Sequence, residues 1–286
     1  MDYINNLFKN IPGLDFAVYV EQALDHMVLN WGGLLDALSA SVLFFVVRIE
    51  KFLNWLPWWA WILIVFISAA YLISKKSGAI LSFMLFTIGW LGYWDLMVMT
   101  VSIVSTAIVF SLSLGIPCGI LMARSRFAEK IVHPILDAMQ TTPSFVYLLP
   151  AVMLFGLGKV PAVFASTIYA VPPVIRMTNL GIRSVSETSI MVADSFGCSA
   201  WQKLLKVQLP EAATMILAGI NQTTMMSLGM IITSSMVGAN GLGLAIFSSI
   251  GRLDVGTAFE AGLCIVFVAI ILDRLTQGLA KKFSRD

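Results

Sequence analysis

Apolar stretches long enough to cross a bilayer recur along most of the chain, and that recurrence decides the fold class. A spanning helix needs about 20 mostly apolar residues. In hydrocarbon, each backbone N–H and C=O must find its partner inside the segment. Seven stretches meet or approach this length: 57–74, 78–93, 97–123, 137–157, 160–180, 213–237 and 256–275. The third would reach roughly 40 Å at helical rise, so it must tilt or extend beyond the bilayer. Prolines interrupt the fourth and fifth. Charged residues make up 12% of the chain, against about 25% in a soluble domain. Because that deficit is spread along the sequence, a soluble domain with one anchor is excluded. The expected fold is all-α and integral to the membrane, with about seven spans, an N-terminal amphipathic or scaffold helix and a cytoplasmic helix hairpin. Three regions follow: an extracytoplasmic N-terminal segment (1–56), two spans (57–96), and a core (97–280) containing the hairpin loop 184–210.

Loop charges suggest an orientation. Lys75 and Lys76 separate spans one and two, and Arg124, Arg126 and Lys130 separate three and four. Arg183, Lys203 and Lys206 separate five and six, and Lys281, Lys282 and Arg285 follow the seventh. The intervening loops hold Asp95, Lys159 and the Arg252/Asp254 pair. Cytoplasmic loops are the ones enriched in Lys and Arg, so the expected topology has the N-terminus outside and the C-terminus in the cytoplasm. Met1–Asn10 lacks the basic segment and apolar run of a cleavable signal. Residues 28–52 are apolar but carry Asp36, Arg48, Glu50 and Lys51, with a helical stripe through Leu34, Leu38, Val42 and Phe45. A helix lying in the outer interface and an eighth span both fit; the charges favour the first.

Chemistry within this chain is excluded motif by motif. There is no Walker A loop, HExxH, GxSxG or GxGxxG. Three separated cysteines and two histidines offer no metal-ligand spacing, and no basic tract points to nucleic acid. No catalytic or metal-binding residue is expected, and no cofactor.

The loop between spans five and six reads as a helix hairpin. Ser186 can cap a helix running to about Phe196, and Gly197 can end it, since glycine takes positive φ freely. Ser199 with Gln202 makes a capping-box pattern for a second helix ending near Val207. Pro210 then suits the start of span six. Ile190, Val192, Phe196, Leu204 and Leu205 are expected to be exposed, and an exposed apolar hairpin invites a docked partner; packing back on its own helix ends is the alternative.

Ala193, Gly197, nine further residues and Val207-x-Leu209-Pro210 resemble the coupling motif of binding-protein-dependent ABC importer permeases. Met191 and Val192 depart from that motif, which has Glu and Ala there. The blocks 92–97 (GYWDLM), 137–185, 206–210, 218–231, 250–256 and 269–277 are similar to permeases of the glycine betaine/proline type. The resemblance implies a type I importer subunit in a bacterial-type cytoplasmic membrane, working with a second copy of itself. It also implies two cytoplasmic ATP-binding subunits, which hold ATP and Mg, and an extracytoplasmic substrate-binding protein. Ala193, Asp194, Gly197, Leu209 and Pro210 would then receive the ATPase. The substrate class would be betaines and related quaternary amines.

Span six is the most polar. Polar side chains at membrane depth call for a partner or a water-filled cavity, so Asn221, Gln222, Thr224 and Ser227 are candidate path residues, with Met225 and Met230 as adaptable surface. Close packing through Gly219 and Gly229 is the other explanation of this span. Phe145, Tyr147, Phe155 and Tyr169 could offer π faces to a quaternary ammonium. The stretch 239–254 is too short to cross twice and is expected to be re-entrant or to lie on the outer face. The rival class, an ion-coupled secondary transporter or channel, should carry intramembrane carboxylates, and the middles of these spans hold almost none. A membrane scaffold would not need a polar sixth span.

Overall fold

A computed structural model describes residues 16–283; the readings of Met1–Asn10 and Arg285 fall outside the described residues. Two helical segments that meet at a kink at Trp31, together α1 (Phe16–Trp55), lead into the hairpin α2 (Trp58–Leu72) and α3 (Lys75–Trp90). Then come α4 (Trp94–Arg124), α5 (Arg126–Thr141), α6 (Ser144–Phe155), α7 (Lys159–Arg183), α8 (Glu187–Ser195) and α9 (Ala200–Lys203). A π-turn at Leu204–Gln208 joins α9 to α10 (Leu209–Ser234), followed by α11 (Leu242–Gly251) and α12 (Val255–Phe283). No strand occurs among the described residues.

Five helical stretches are long and apolar enough to cross a membrane: Val18–Trp55, Trp94–Arg124, Lys159–Arg183, Ala200–Val237 and Val255–Lys282. The bent pair of α5 and α6 brings the number to six if it counts as one span. The segments 57–74 and 78–93 are short members of one hairpin, with 15 and 16 helical residues. The expected fourth span is broken, because α5 and α6 meet at 99°. Thr142 takes an extended conformation (φ −72°, ψ 128°), as the residue before Pro143 must when the proline ring crowds its backbone. The polar α5 thereby leaves the direction of the apolar α6.

α7 lies between α4 and α10, and small residues let these three helices approach closely. Apolar burial drives little association in lipid, so such contact rests on dispersion and fit. A methyl group at Gly119 would stand 2.6 Å from Thr178 Cβ and 2.8 Å from the Ile175 carbonyl. At Gly115 it would meet Val174 at 2.4 Å, and at Gly219 it would meet Met177 Cβ at 2.8 Å. Gly229 plays no such part, with nothing within 4 Å. Two buried hydroxyls on α4 bond within their own helix, Ser102 donating to the Val98 carbonyl and Thr106 to that of Ser102, both at 2.7 Å, while Ser111 donates across to the Thr167 carbonyl of α7 at 3.2 Å.

α1, read above as either a surface helix or an eighth span, packs against the bundle in its second half. Its Phe45 meets Phe110, halfway along α4, edge-on at 5.5 Å, and Val42 and Val46 are buried in the main core. The charges that argued against a span have local answers. Glu50 pairs with Lys159 at 2.7 Å beside the start of α7, and Arg48 lies over the Phe44 ring. The part of α1 after the Trp31 kink therefore runs alongside the bundle at the level of its middle.

The glycine contacts predict a pair of outcomes. Gly119→Ala lowers unfolding stability in detergent by about 1–3 kcal/mol, the usual cost of overpacking a filled interface. Gly229→Ala leaves stability unchanged or raises it by up to roughly 1 kcal/mol through helix propensity. Equal behaviour of the two variants would refute the close-approach account.

Candidate functional site

The hairpin between α7 and α10 is built almost wholly from local rules. The Ser186 hydroxyl accepts the Ser189 N–H at 3.0 Å and starts α8. At the other end, Gly197 has φ +70°, and its N–H donates to the Asp194 carbonyl while Cys198 N–H donates to that of Ala193, both at 3.0 Å. These two bonds form a Schellman stop, which needs a left-handed residue where Gly197 stands. Ser199 then opens α9 with a reciprocal capping box: its hydroxyl accepts from Gln202 N–H at 3.3 Å, and its own N–H donates to Gln202 Oε1 at 2.9 Å.

The second arm differs from the expected helix ending near Val207. It continues through the π-turn into α10, so helix runs unbroken over Ala200–Val237. Pro210 has no N–H to donate and its ring crowds the carbonyl four residues back. One wider turn absorbs that crowding without ending the helix.

The hairpin is fixed at its base and bare at its tip. Lys203 Nζ reaches Asp194 Oδ1 at 2.5 Å, tying the arms together. Arg124, at the end of α4, donates to the Ala200 carbonyl at 2.8 Å and lies over the Trp201 ring. Arg183 donates to the Met122 carbonyl at 2.9 Å and pairs with Glu129 at 2.8 Å. Leu204, expected to be exposed, is fully buried with Ile182 and Ala212, because helical continuation turns it towards the bundle. Ala193 is also buried, while Phe196 is 83% exposed and Met191, Val192, Trp201 and Leu205 are exposed beside it. Of the residues expected to receive a partner, Ala193 and Gly197 shape the stop, and Asp194 ties the arms. Leu209 packs into the base, and Pro210 sits exposed on the first turn of α10. The anchoring arginines were not anticipated as such; their signal was only a basic residue at the end of each adjoining helix.

The six candidate path residues do not share one face. Gln222 and Met225 are exposed on α10, in line with Ile232 and Met236. Thr224, Ser227 and Met230 are buried on the opposite side, with Met230 in a cluster containing Leu148 and Ala165. Asn221 points elsewhere again: it donates to Asp273 at 2.9 Å and accepts from Thr276 at 2.5 Å, and Gln277 donates to Asp273 at 2.7 Å. The aromatics divide too. Phe155 stacks on Phe164 at 4.2 Å and Tyr147 lies 6.0 Å from Tyr169, while Phe145 is exposed. The stretch 239–254 forms the 10-residue α11, whose first N–H donates to Thr100 Oγ1 at 2.8 Å. Among the described residues, no group of acidic, histidine and cysteine side chains could hold a metal ion.

Residues 115–285 match the family described as "Binding-protein-dependent transport system inner membrane component". The chain belongs to this family. It is similar to the glycine betaine/carnitine transport permease protein GbuB of Listeria monocytogenes, with 43% identity over 96% of this chain and 98% of that one. The glycine betaine transport system permease protein OpuAB of Bacillus subtilis is 42% identical over the same shares. Among solved structures, the inward-facing MetNI methionine ABC transporter aligns with a TM-score of 0.60 and 18% identity, over 65% of this chain and 93% of that one. That likeness establishes the fold. The chain is thus a multi-pass permease subunit and not itself an enzyme, and its family couples to a separate ATPase and a substrate-binding protein.

Gly197→Pro removes the N–H that closes the stop and demands a negative φ. This variant should insert in the membrane normally but lose co-purification with its ATPase. Wild-type recovery of the ATPase would show that the turn is not part of the contact.

Proposed function

We propose that this permease carries glycine betaine or a related quaternary-amine osmoprotectant inward, driven by ATP hydrolysis in its partner subunits. The observation that carries this reading is the hairpin, anchored through Arg124, Arg183 and Leu204 and apolar at its tip. It occurs in a chain similar along nearly its full length to glycine betaine permeases. A neighbouring subunit docked on Phe196 and Trp201 acts on α10 through helix alone. ATP and Mg belong to that subunit, and an extracytoplasmic protein delivers the substrate. A second copy of the chain faces α10 across Gln222, Met225 and Met236, which line the passage between the two copies.

The hairpin end faces the cytoplasm. Arg124, Arg126, Arg183, Lys203, Lys206, Lys281 and Lys282 gather there, while the opposite end carries Asp95, Glu50 with Lys159, and Arg252 with Asp254. The C-terminus is then cytoplasmic. The expected outside position of the N-terminus belongs to the seven-span count; with α1 as a further crossing, its start moves to the cytoplasmic side. The ion-coupled alternative is not favoured. Residues 115–285 match the binding-protein-dependent family instead, and the middles of the spans hold almost no carboxylates.

Two measurements test these statements. Liposomes holding this chain with its ATPase and binding protein should accumulate radiolabelled glycine betaine only with ATP. Uptake without ATP, or without the ATPase, would overturn the importer reading. In intact cells, a single cysteine placed at Tyr19 should resist an impermeant maleimide, whereas one at Asp95 should react; the reverse pattern would refute the orientation.

A further inference from the structure

At the hairpin end, on the side away from α7 and α10, the turn between α2 and α3 meets the last turns of α12. A cavity of about 460 Å³ opens there, lined by Tyr71, Arg274, Gln277, Lys281 and Lys282. Three cations and no carboxylate line it among the described residues. Among the described residues, none of the three forms an ion pair. Lys282 is held in place, its ammonium 3.3 Å from the centre of the Tyr71 ring. Ile73 and Arg274 also border a second cavity of about 370 Å³, which runs along Ile80, Leu81, Met84 and Ile270 between α3 and α12. The surface thus has a cationic bowl at the level of the helix ends and, continuous with it, an apolar groove directed into the membrane. Close packing of the Ile73 side against Gly278 fixes the wall between them: a methyl group on Gly278 would lie 2.9 Å from Ile73.

We propose that this paired cavity binds one anionic phospholipid of the cytoplasmic leaflet, its phosphate among Arg274, Lys281 and Lys282 and an acyl chain along the groove. Clustered Lys and Arg between spanning helices supply the charge that anionic headgroups seek. Arg adds a planar fork matched to phosphate oxygens. The groove distinguishes a lipid from free phosphate, since a soluble anion gains nothing from Ile80, Met84 or Ile270. The site lies apart from the hairpin and from the exposed face of α10, so it does not depend on the substrate proposed above.

The test uses the full chain purified in mild detergent from membranes containing phosphatidylglycerol and phosphatidylcholine, examined by native mass spectrometry. The wild type should retain one phosphatidylglycerol per chain in preference to phosphatidylcholine. The triple variant Arg274→Gln, Lys281→Gln, Lys282→Gln should weaken that retention on the order of a hundredfold, about fivefold per charge. Ile270→Trp, which fills the groove and keeps every charge, should also release the lipid. Elution as a monodisperse species shows that each variant is folded. Equal retention of the two lipids, or retention unchanged in the triple variant, would overturn the site. Displacement by millimolar inorganic phosphate, with Ile270→Trp behaving as wild type, would assign it to a soluble anion instead.

Discussion

Contact between α4, α7 and α10 at glycine-limited distance is the condition on which the other features rest. Within a bilayer, a leucine gains little by turning from lipid to a neighbouring helix. Cohesion must come from surfaces that touch over many atoms, each pair worth only about 0.1–0.2 kcal/mol. Gly115 and Gly119 open a groove on α4 for Val174 and Thr178, and Gly219 does the same on α10 for Met177. α7 is thereby held on two sides. Its two ends, one at Lys159 and Glu50, the other at Arg183 and Met122, become fixed points from which α1 and the hairpin take their positions.

The hairpin shows how polar bonds and apolar exposure divide the work of a docking element. Its backbone groups are closed internally by the Ser186 cap, the stop at Gly197 and the capping box at Ser199. Its base is held by cations reaching carbonyls. The tip can therefore present Phe196 and Trp201 without being needed for the hairpin's own stability. Loss of the ionic residue that the family motif has at position 191 fits this arrangement: the ties across the hairpin run instead between Asp194 and Lys203.

Features governed by local sequence were legible before any coordinates. Ser186, Gly197 and the Ser199/Gln202 pair have the predicted roles, because caps and left-handed stops depend on a few adjacent residues. Long apolar helices such as α4, α7 and α12 were legible for the same reason. What escaped depends on neighbours distant in sequence. Residues 137–157 looked continuous because hydropathy does not register the direction change that Pro143 imposes on Thr142. α1 looked too charged to enter the bundle because the pairing of Glu50 with Lys159 joins positions 109 residues apart. Polarity singled out Thr224 and Ser227 with Gln222, yet a helix of 3.6 residues per turn distributes them over different faces. Only the packing of α7 says which face is which.

The π-turn at Leu204–Gln208 has a mechanical meaning. Had Pro210 broken the chain into hairpin and span, a hinge between them would absorb part of any displacement at the hairpin. Instead helix continues over the 38 residues from Ala200 to Val237, roughly 57 Å of contour at 1.5 Å per residue. Its far end abuts the α6–α7 turn, where Gly158 N–H donates to the Val237 carbonyl at 3.0 Å. A displacement of the hairpin is thereby passed along continuous helix to the α6–α7 turn.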